Sequence, residues 1–297
     1  MALKRNETYP GRFDNPTTAH PQGAFKNRSA PGAQDGSYLE QQWANDHDGF
    51  FARIINLSGI TLSGVVDTGV SSQLFDGLFS LLSPGRFIGV QQFTASGTYT
   101  PTAGCKSALV ELVGGGGGGG GCFLTSAGSS SAGGGGGSGG YSRSIITNPV
   151  STVVTIGTGG TAGTVANPPV AGSNGGVTSF GSLVIANGGN VGLNAGWAIT
   201  SSSSACTDGG GGGTPGTGTL AICGNLGTRG QQLQTNGSGG SGANSQLGSG
   251  GHYRAGVGST FNPPSFGGGG AGQYRADTTT YSGSAGASGI CLVWEYF

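Results

Sequence analysis

The sequence predicts a mainly β protein with short N-terminal helices and a glycine-rich domain whose tracts are either packed polyglycine-II helices or wide loops. Three observations carry this reading. Of 297 residues, 68 are glycine, and eight of them, Gly114–Gly121, follow directly on the strand-like segment Ser107–Val113. A flexible linker has no need of a hydrophobic strand feeding straight into it. Short β-branched and aromatic segments recur between the glycine tracts, bounded by Gly, Pro or Asn as strands commonly are. The chain ends on the apolar run Gly289–Phe297, which suits a strand closing a core.

The composition changes near residue 90. Residues 1–90 carry 15 of the 24 charged side chains and 11 glycines, whereas residues 91–297 carry 9 charges and 57 glycines. Disorder usually combines low hydrophobicity with high net charge. The net charge here is zero, so an ordered glycine-rich domain is expected over 91–297.

Residues 1–35 hold Pro10-Gly11, Pro16, Pro21 and Pro31-Gly32 and read as an extended arm. Residues 36–90 read as a helical region. A helix is expected from Ser37 to Leu57, with Ser37 and Glu40 spaced as a capping box. Leu39, Trp43, His47, Phe50, Ile54 and Leu57 step by four and three along one apolar seam. A second helix is expected from Val70 to Leu82, ending before Pro84-Gly85. Two helices this apolar cannot bury themselves within about 50 residues. They form either an interchain seam or an intrachain hairpin packed on the β-rich domain.

Within 91–297 the expected strands are Phe93–Tyr99, Ser107–Val113, Tyr141–Ile146, Ser151–Ile156, Gly176–Phe180, Leu183–Ile185 and the terminal run. Between them lie glycine tracts at 114–121, 133–140, 209–213, 237–242 and 267–272. Each glycine costs roughly 0.5–1 kcal/mol relative to alanine in an ordered element. Ordered tracts therefore need a packing that admits only glycine. Polyglycine-II helices, with three residues per turn and a rise of ~3.1 Å, supply one. The octet would span about 25 Å at that rise. There is no sustained Gly-X-Y period, so the chain is not collagen.

Several functions are disfavoured. No block of like charge supplies a nucleic-acid footprint, and no apolar run approaches the ~20 residues of a membrane span. The N-terminal residues lack a signal-peptide core, so a start in a reducing cytosol is expected. Five cysteines without C-x-x-C spacing and three histidines argue against zinc, and no cofactor is expected. Cys206 and Cys223 bracket a glycine tract and are a candidate pair in an oxidising medium. The glycine runs lack the Gly-Lys-Ser/Thr of a phosphate-binding loop. The acids of 91–297 are Glu111, Asp208, Asp277 and Glu295. Glu111 and Glu295 are either a carboxylate pair of the glycosidase kind or, as favoured, solvent-facing strand residues. No catalytic residue is assigned, and no enzymatic activity is expected.

The stretch Phe25–Asp46 resembles the N-terminal region of bacteriophage and prophage tail-fibre proteins, and Ser72–Leu78 resembles another element of them. Phe93-Thr-Ala-Ser-Gly-Thr-Tyr-Thr-Pro-Thr-Ala-Gly104, followed by Val-Glu-Leu-Val and a glycine run, resembles their glycine-rich C-terminal module. The resemblance implies a homotrimeric fibre or tip in the virion tail, assembled in the host cytoplasm. It implies an attachment arm at 1–35 joining other tail or baseplate proteins and a trimerisation region at 36–90. The tip at 91–297 would bind a surface polysaccharide or outer-membrane protein of the host.

Contact residues are expected on loops held by a rigid scaffold, where aromatic and Arg side chains dominate binding energy. The candidates are Trp197, His252, Tyr253, Arg254, Tyr274, Arg275 and Tyr281. Exposure is expected of Tyr253, Arg254, Tyr274, Arg275 and Tyr281, since Arg is seldom buried unpaired. For Trp197, Phe261 and Phe266, core packing competes evenly.

Overall fold

The computed structural model describes residues 5–18, 24–37, 41–82, 85–123, 129–195, 204–233, 236–252, 263, 265–276 and 279–297. They divide into two compact units, 1–84 and 85–297.

The first unit holds α1 (Arg5–Thr8), α2 (Gln41–Ser58) and α3 (Gln73–Leu82). The helices α2 and α3 meet where Gly77 lies against Ile54; a Cβ on Gly77 would stand 3.1 Å from Ser58 Oγ and 3.3 Å from Ile54 Cγ2. His47 does not interrupt the apolar seam. Its ring stacks on Trp43 at 5.5 Å and meets Phe51 edge-on at 4.7 Å. The segment expected as an extended arm is tied back by an aromatic ladder, Tyr9 to Phe13 to Phe25 to Trp43. The Ser37 hydroxyl donates to Arg12 O and accepts from Lys26 N and so fastens the arm; Glu40, its expected partner in a capping box, lies outside the described residues. At α3 the N-cap is Ser72, whose hydroxyl accepts from Phe75 N at 3.0 Å, and Asp67 accepts from Gln73 N at 3.0 Å and Leu74 N at 3.1 Å. Satisfying the free N–H groups of a first turn in this way stabilises a helix. The bond from the Ser72 hydroxyl, then those from the two amides, hold the Asp67 carboxyl below its ordinary range. Phe50, Leu57, Phe75, Phe79 and Leu82 remain exposed, Phe75 at 64% and Leu82 at 75%.

The second unit contains strands β1 (Phe87–Phe93), β2 (Gly97–Tyr99), β3 (Ser107–Val113), β4 (Ser130–Ala132), β5 (Tyr141–Thr147), β6 (Thr152–Thr155), β7 (Thr178–Phe180) and β8 (Val184–Ala186). These are followed by β9 (Ser204–Thr207), β10 (Leu220–Ile222), β11 (Gly230–Leu233), β12 (Asn236–Ser238), β13 (Tyr274–Ala276), β14 (Thr279–Tyr281) and β15 (Ile290–Tyr296). The protein is mainly β, in antiparallel sheets. One sheet runs β1-β15-β3-β5-β10 and another β2-β6-β7-β8. Alternating residues of β3 and β15 (Val110, Leu112, Cys291, Val293) pack against Tyr99, Val154, Phe180 and Val184 of the second sheet. The expected single strand over Phe93–Tyr99 is two strands. Phe93 pairs with Cys291 in the first sheet and Tyr99 with Thr152 in the second, so the chain crosses between sheets at residues 94–96.

The glycine tracts are packed helices with a three-residue repeat, not loops. Gly114, Gly117 and Gly120 donate to Gly140, Gly137 and Gly134. Gly115 and Gly118 donate to Gly176 and Ser173, and Gly116 and Gly119 to Ala287 and Ser284. Carbonyls of the same tract accept from Gly160 and Gly163, from Gly189 and Gly192, and from Gly270 and Gln273. Successive residues thus address neighbours in different directions, as three residues per turn require. The tract 114–121 has six neighbours, and so has 133–140: it bonds to 114–120, 187–193, 210–213, 225–228, 240–243 and 267–273.

The hydrogen bonds place the tracts in rows of three, four and three. One outer row is 172–176, 187–195 and 207–214. The middle row is 157–164, 114–121, 133–140 and 224–230. The other outer row is 283–289, 267–273 and 239–245. Every residue of 114–121 and 133–140 is buried, Ser138 included; its hydroxyl accepts from Asn225 N at 2.8 Å. In the peripheral tract, Gly157, Gly160 and Gly163 face inward while Thr158, Thr161 and Thr164 are exposed. Such a bundle buries backbone with its polar groups paired, which is the condition for burying it at all.

Strands β3, β6, β8 and β10 lead into tracts, and tracts lead out into β5, β7 and β15. The two main sheets therefore cap the near end of the bundle. Two small sheets, β12-β11-β9 and β14-β13-β4, lie at the far end.

Candidate binding surface at the far end of the bundle

The far end is where the chain turns between tracts and where side chains replace glycine. Antiparallel pairing sets Tyr274 opposite Tyr281 and Ala132, and Arg275 opposite Thr280 and Ser131. The structure thus brings Tyr274, Arg275 and Tyr281 into one small sheet, although the Tyr281 side chain lies outside the described residues. The expected exposure of Tyr274 is overturned. It is 5% exposed and packs with Ala132 and Ala276, because β13 is the central strand of its sheet. Arg275 is half-buried, and its Nε has no hydrogen-bond partner among the described residues. Burial pushes the nearby Cys122 thiol up to about 12, with the Arg275 charge pulling it down in part.

His252 is exposed and stands apart from this sheet. It follows Gly251, which donates to Gly269, four residues before Gln273 on the same tract; at ~3.1 Å per residue that is about 12 Å of axial rise. Trp197, Tyr253, Arg254 and Phe261 lie outside the described residues. Phe266 packs against the cluster of Val113, Tyr141 and Ile290, which decides for its core reading.

A recess of about 220 Å³ opens elsewhere on the far end, lined by Leu193, Asn194, Ala205, Cys206, Thr207, Asp208 and Gln232. Pairing of β9 with β11 sets Ala205 opposite Gln232 and so aligns Thr207 with both on one face. Leu193 N donates to Asp208 O at 3.2 Å, which seats the end of the 187–195 tract beside that face. Asn194 is fixed, accepting from Gly121 N at 2.7 Å and donating to Pro169 O at 3.2 Å. Asp208 Oδ1 pairs with Arg229 Nε at 2.6 Å, both side chains being exposed. Sequence reasoning weighed Asp208 only as one of four acids and missed this constellation.

Glu111 and Glu295 occupy adjacent strands but opposite faces of the sheet. Glu295 lies opposite Ala108 on the core face, whereas Glu111 lies opposite Leu292 on the outer face. They cannot flank one scissile bond, which is what a carboxylate pair must do. Glu295 is not the solvent-facing residue expected. It is 1% exposed and accepts from Tyr99 Oη at 2.8 Å, Thr102 N at 2.9 Å and Thr102 Oγ1 at 2.6 Å. Burial pushes this carboxyl up, but the donors of Thr102 and Tyr99 prevail and hold it below its ordinary range. Glu111 accepts from Tyr141 Oη at 2.5 Å and Trp294 Nε1 at 3.0 Å. Burial, then Glu111, push the Tyr141 hydroxyl up to about 12.

Cys206 and Cys223 are both free and exposed. They sit at opposite ends of the bundle, separated by the length of the 207–214 tract, about 22 Å at ~3.1 Å per residue. A disulfide tolerates a Cα separation of about 7 Å at most. Among the described residues no three His, Cys, Asp or Glu gather to hold a metal ion.

No curated protein matches the chain. Residues 92–295, more than half of it, match the glycine-rich domain family, and the chain belongs to that family.

Proposed function

We propose that the protein is a phage tail-fibre or tail-tip adhesin that binds the bacterial surface during adsorption. In this reading it is a homotrimer assembled through 36–90, joined to other tail or baseplate proteins by its N-terminal region, and its receptor is a surface polysaccharide or outer-membrane protein. The observation that carries the reading is the division of labour in the second unit. The interior of the bundle is hydrogen-bonded backbone, and the segments that join its tracts are anchored on it at both ends. Loops held by a rigid scaffold are where recognition residues concentrate. The tail-fibre resemblance of Phe25–Asp46 and Phe93–Gly104 supports the same reading.

The test is a pull-down of labelled protein on whole cells and on cells stripped of surface polysaccharide, with competition against phage adsorption. Saturable binding that competes with phage is expected. Absence of binding to cells that adsorb the phage would overturn the reading. The burial of Tyr274 and half-burial of Arg275 favour a second one, a structural tail component that caps the fibre while another protein meets the host.

A further inference from the structure

We propose that the recess between the end of the 187–195 tract and the β9–β11 face is a site for a single pyranose residue carrying vicinal hydroxyls. The proposal deepens the adhesin reading and rests on it for the biological source of the sugar.

The recess has the two characters a sugar ring presents. Leu193, 54% exposed, offers an apolar surface to a C–H face. Polar atoms supply the edge. Gln232 is only 2% exposed, yet its amide nitrogen has just a long 3.5 Å bond to Ala132 O, and its oxygen has none among the described residues. The hydroxyl of Thr207, also buried, has none among them either. Neither atom is sealed in without a partner, and both residues line the recess. A nearly buried amide facing a cavity with unspent hydrogen-bonding capacity is costly unless something meets it.

The charge pattern narrows the ligand. Asp208 Oδ1 is already engaged by Arg229, which orients the carboxylate. The ion pair leaves the rim without net charge, and the other residues lining the recess are uncharged. A neutral diol edge fits this better than a phosphate or an ammonium group. The volume, about 220 Å³, lies below the ~300–1,000 Å³ of pockets for drug-sized ligands, so one ring enters and the remaining glycan extends into solvent.

Strand alternation puts Thr207 and Gln232 on the recess face and Cys206 on the other, so the two polar residues of the recess are the ones to vary. The experiment is a titration of the full chain with the methyl glycosides of glucose, galactose, mannose or N-acetylglucosamine, followed by saturation-transfer NMR. At least one glycoside is expected to bind saturably, and Thr207→Val and Gln232→Leu are each expected to weaken that binding at least tenfold, Thr207→Val with the melting temperature retained. No saturable binding up to about 100 mM, a limit weaker than any useful site, or unchanged affinity in a folded Thr207→Val protein, overturns the proposal. The cell pull-down separates the two readings. Binding to cells without glycoside binding at the recess removes the recess and leaves the adhesin; glycoside binding without cell binding removes the adhesin and leaves the recess.

Discussion

The carbonyl oxygen of Asn190 occupies the place that a Cβ on Gly117 would need. Gly117 also donates to Gly137 at 2.9 Å and accepts from Gly270 at 2.8 Å. Backbones from three tracts therefore converge on one residue without a side chain. The conformational cost of glycine is offset here by paired backbone groups at close approach, an arrangement any other residue would break.

Gly117→Val is accordingly expected to prevent folding of the second unit. Overpacking a core costs about 1–3 kcal/mol where side chains can shift, and here the obstacle is backbone on all sides. Thr161→Val, on the exposed row of a peripheral tract, is expected to stay within about 0.5 kcal/mol of the parent. Thermal melting of the two variants checks the contrast; a Gly117→Val protein that melts with the parent would contradict the bundle.

Much of this was legible in the sequence, and the exceptions have physical reasons. Ser107–Val113 and the terminal strand read correctly because apolar alternation and flanking glycine act locally. The three-residue repeat was also present, in Thr158, Thr161 and Thr164, but runs of pure glycine at the centre obscure it by removing the outward residues that mark a period. Leu193, Thr207 and Gln232 could not be joined by reading along the chain, since pairing of β9 with β11 and the seating of a separate tract bring them together. Tyr274 misled because its neighbour Arg275 suggested exposure, while strand alternation sends the two side chains to different faces.

The Glu295 carboxylate yields a pH dependence. Its folded pKa lies below its ordinary value, so the stability it contributes is present above the unfolded pKa and is lost as pH falls through the folded one. Urea midpoints are expected to drop between about pH 5 and pH 3 more steeply in the parent than in Glu295→Gln. At about pH 7 the variant itself is expected to be less stable by about 1–3 kcal/mol, because Tyr99 and Thr102 lose a charged acceptor in a buried setting. Equal pH slopes for the two proteins would show that the carboxylate is not linked to folding.

The exposed apolar residues of α2 and α3 bear on assembly. Trp43 is a poor probe because it is engaged within its own chain, between Phe25 and His47. Phe75 and Leu82 project instead. If these residues form the seam of a homotrimer, Phe75→Asp is expected to lower the mass by light scattering, since a charge would have to enter an apolar contact. The melting transition of the second unit is expected to stay in place. A parent protein that is monomeric at micromolar concentration would remove the trimer from the proposal.

Receptor contact calls for a test that keeps folding and binding apart. Replacing Tyr253, Arg254, Tyr274 and Arg275 together would confound them, because truncating a buried aromatic costs about 3–5 kcal/mol and Tyr274 is buried. Tyr274→Ala alone is therefore expected to lower the melting temperature and to reduce cell binding only through that loss. The triple variant His252→Ala, Tyr253→Ala, Arg254→Ala begins where the chain leaves Gly251, at an exposed histidine. It is expected to retain the parent melting curve and oligomeric mass while losing most of the binding to host cells, since aromatic and Arg side chains dominate recognition energy. Binding unchanged in the triple variant, beside a Tyr274→Ala protein that binds weakly yet melts like the parent, would invert the assignment and return the contact to the far-end sheet.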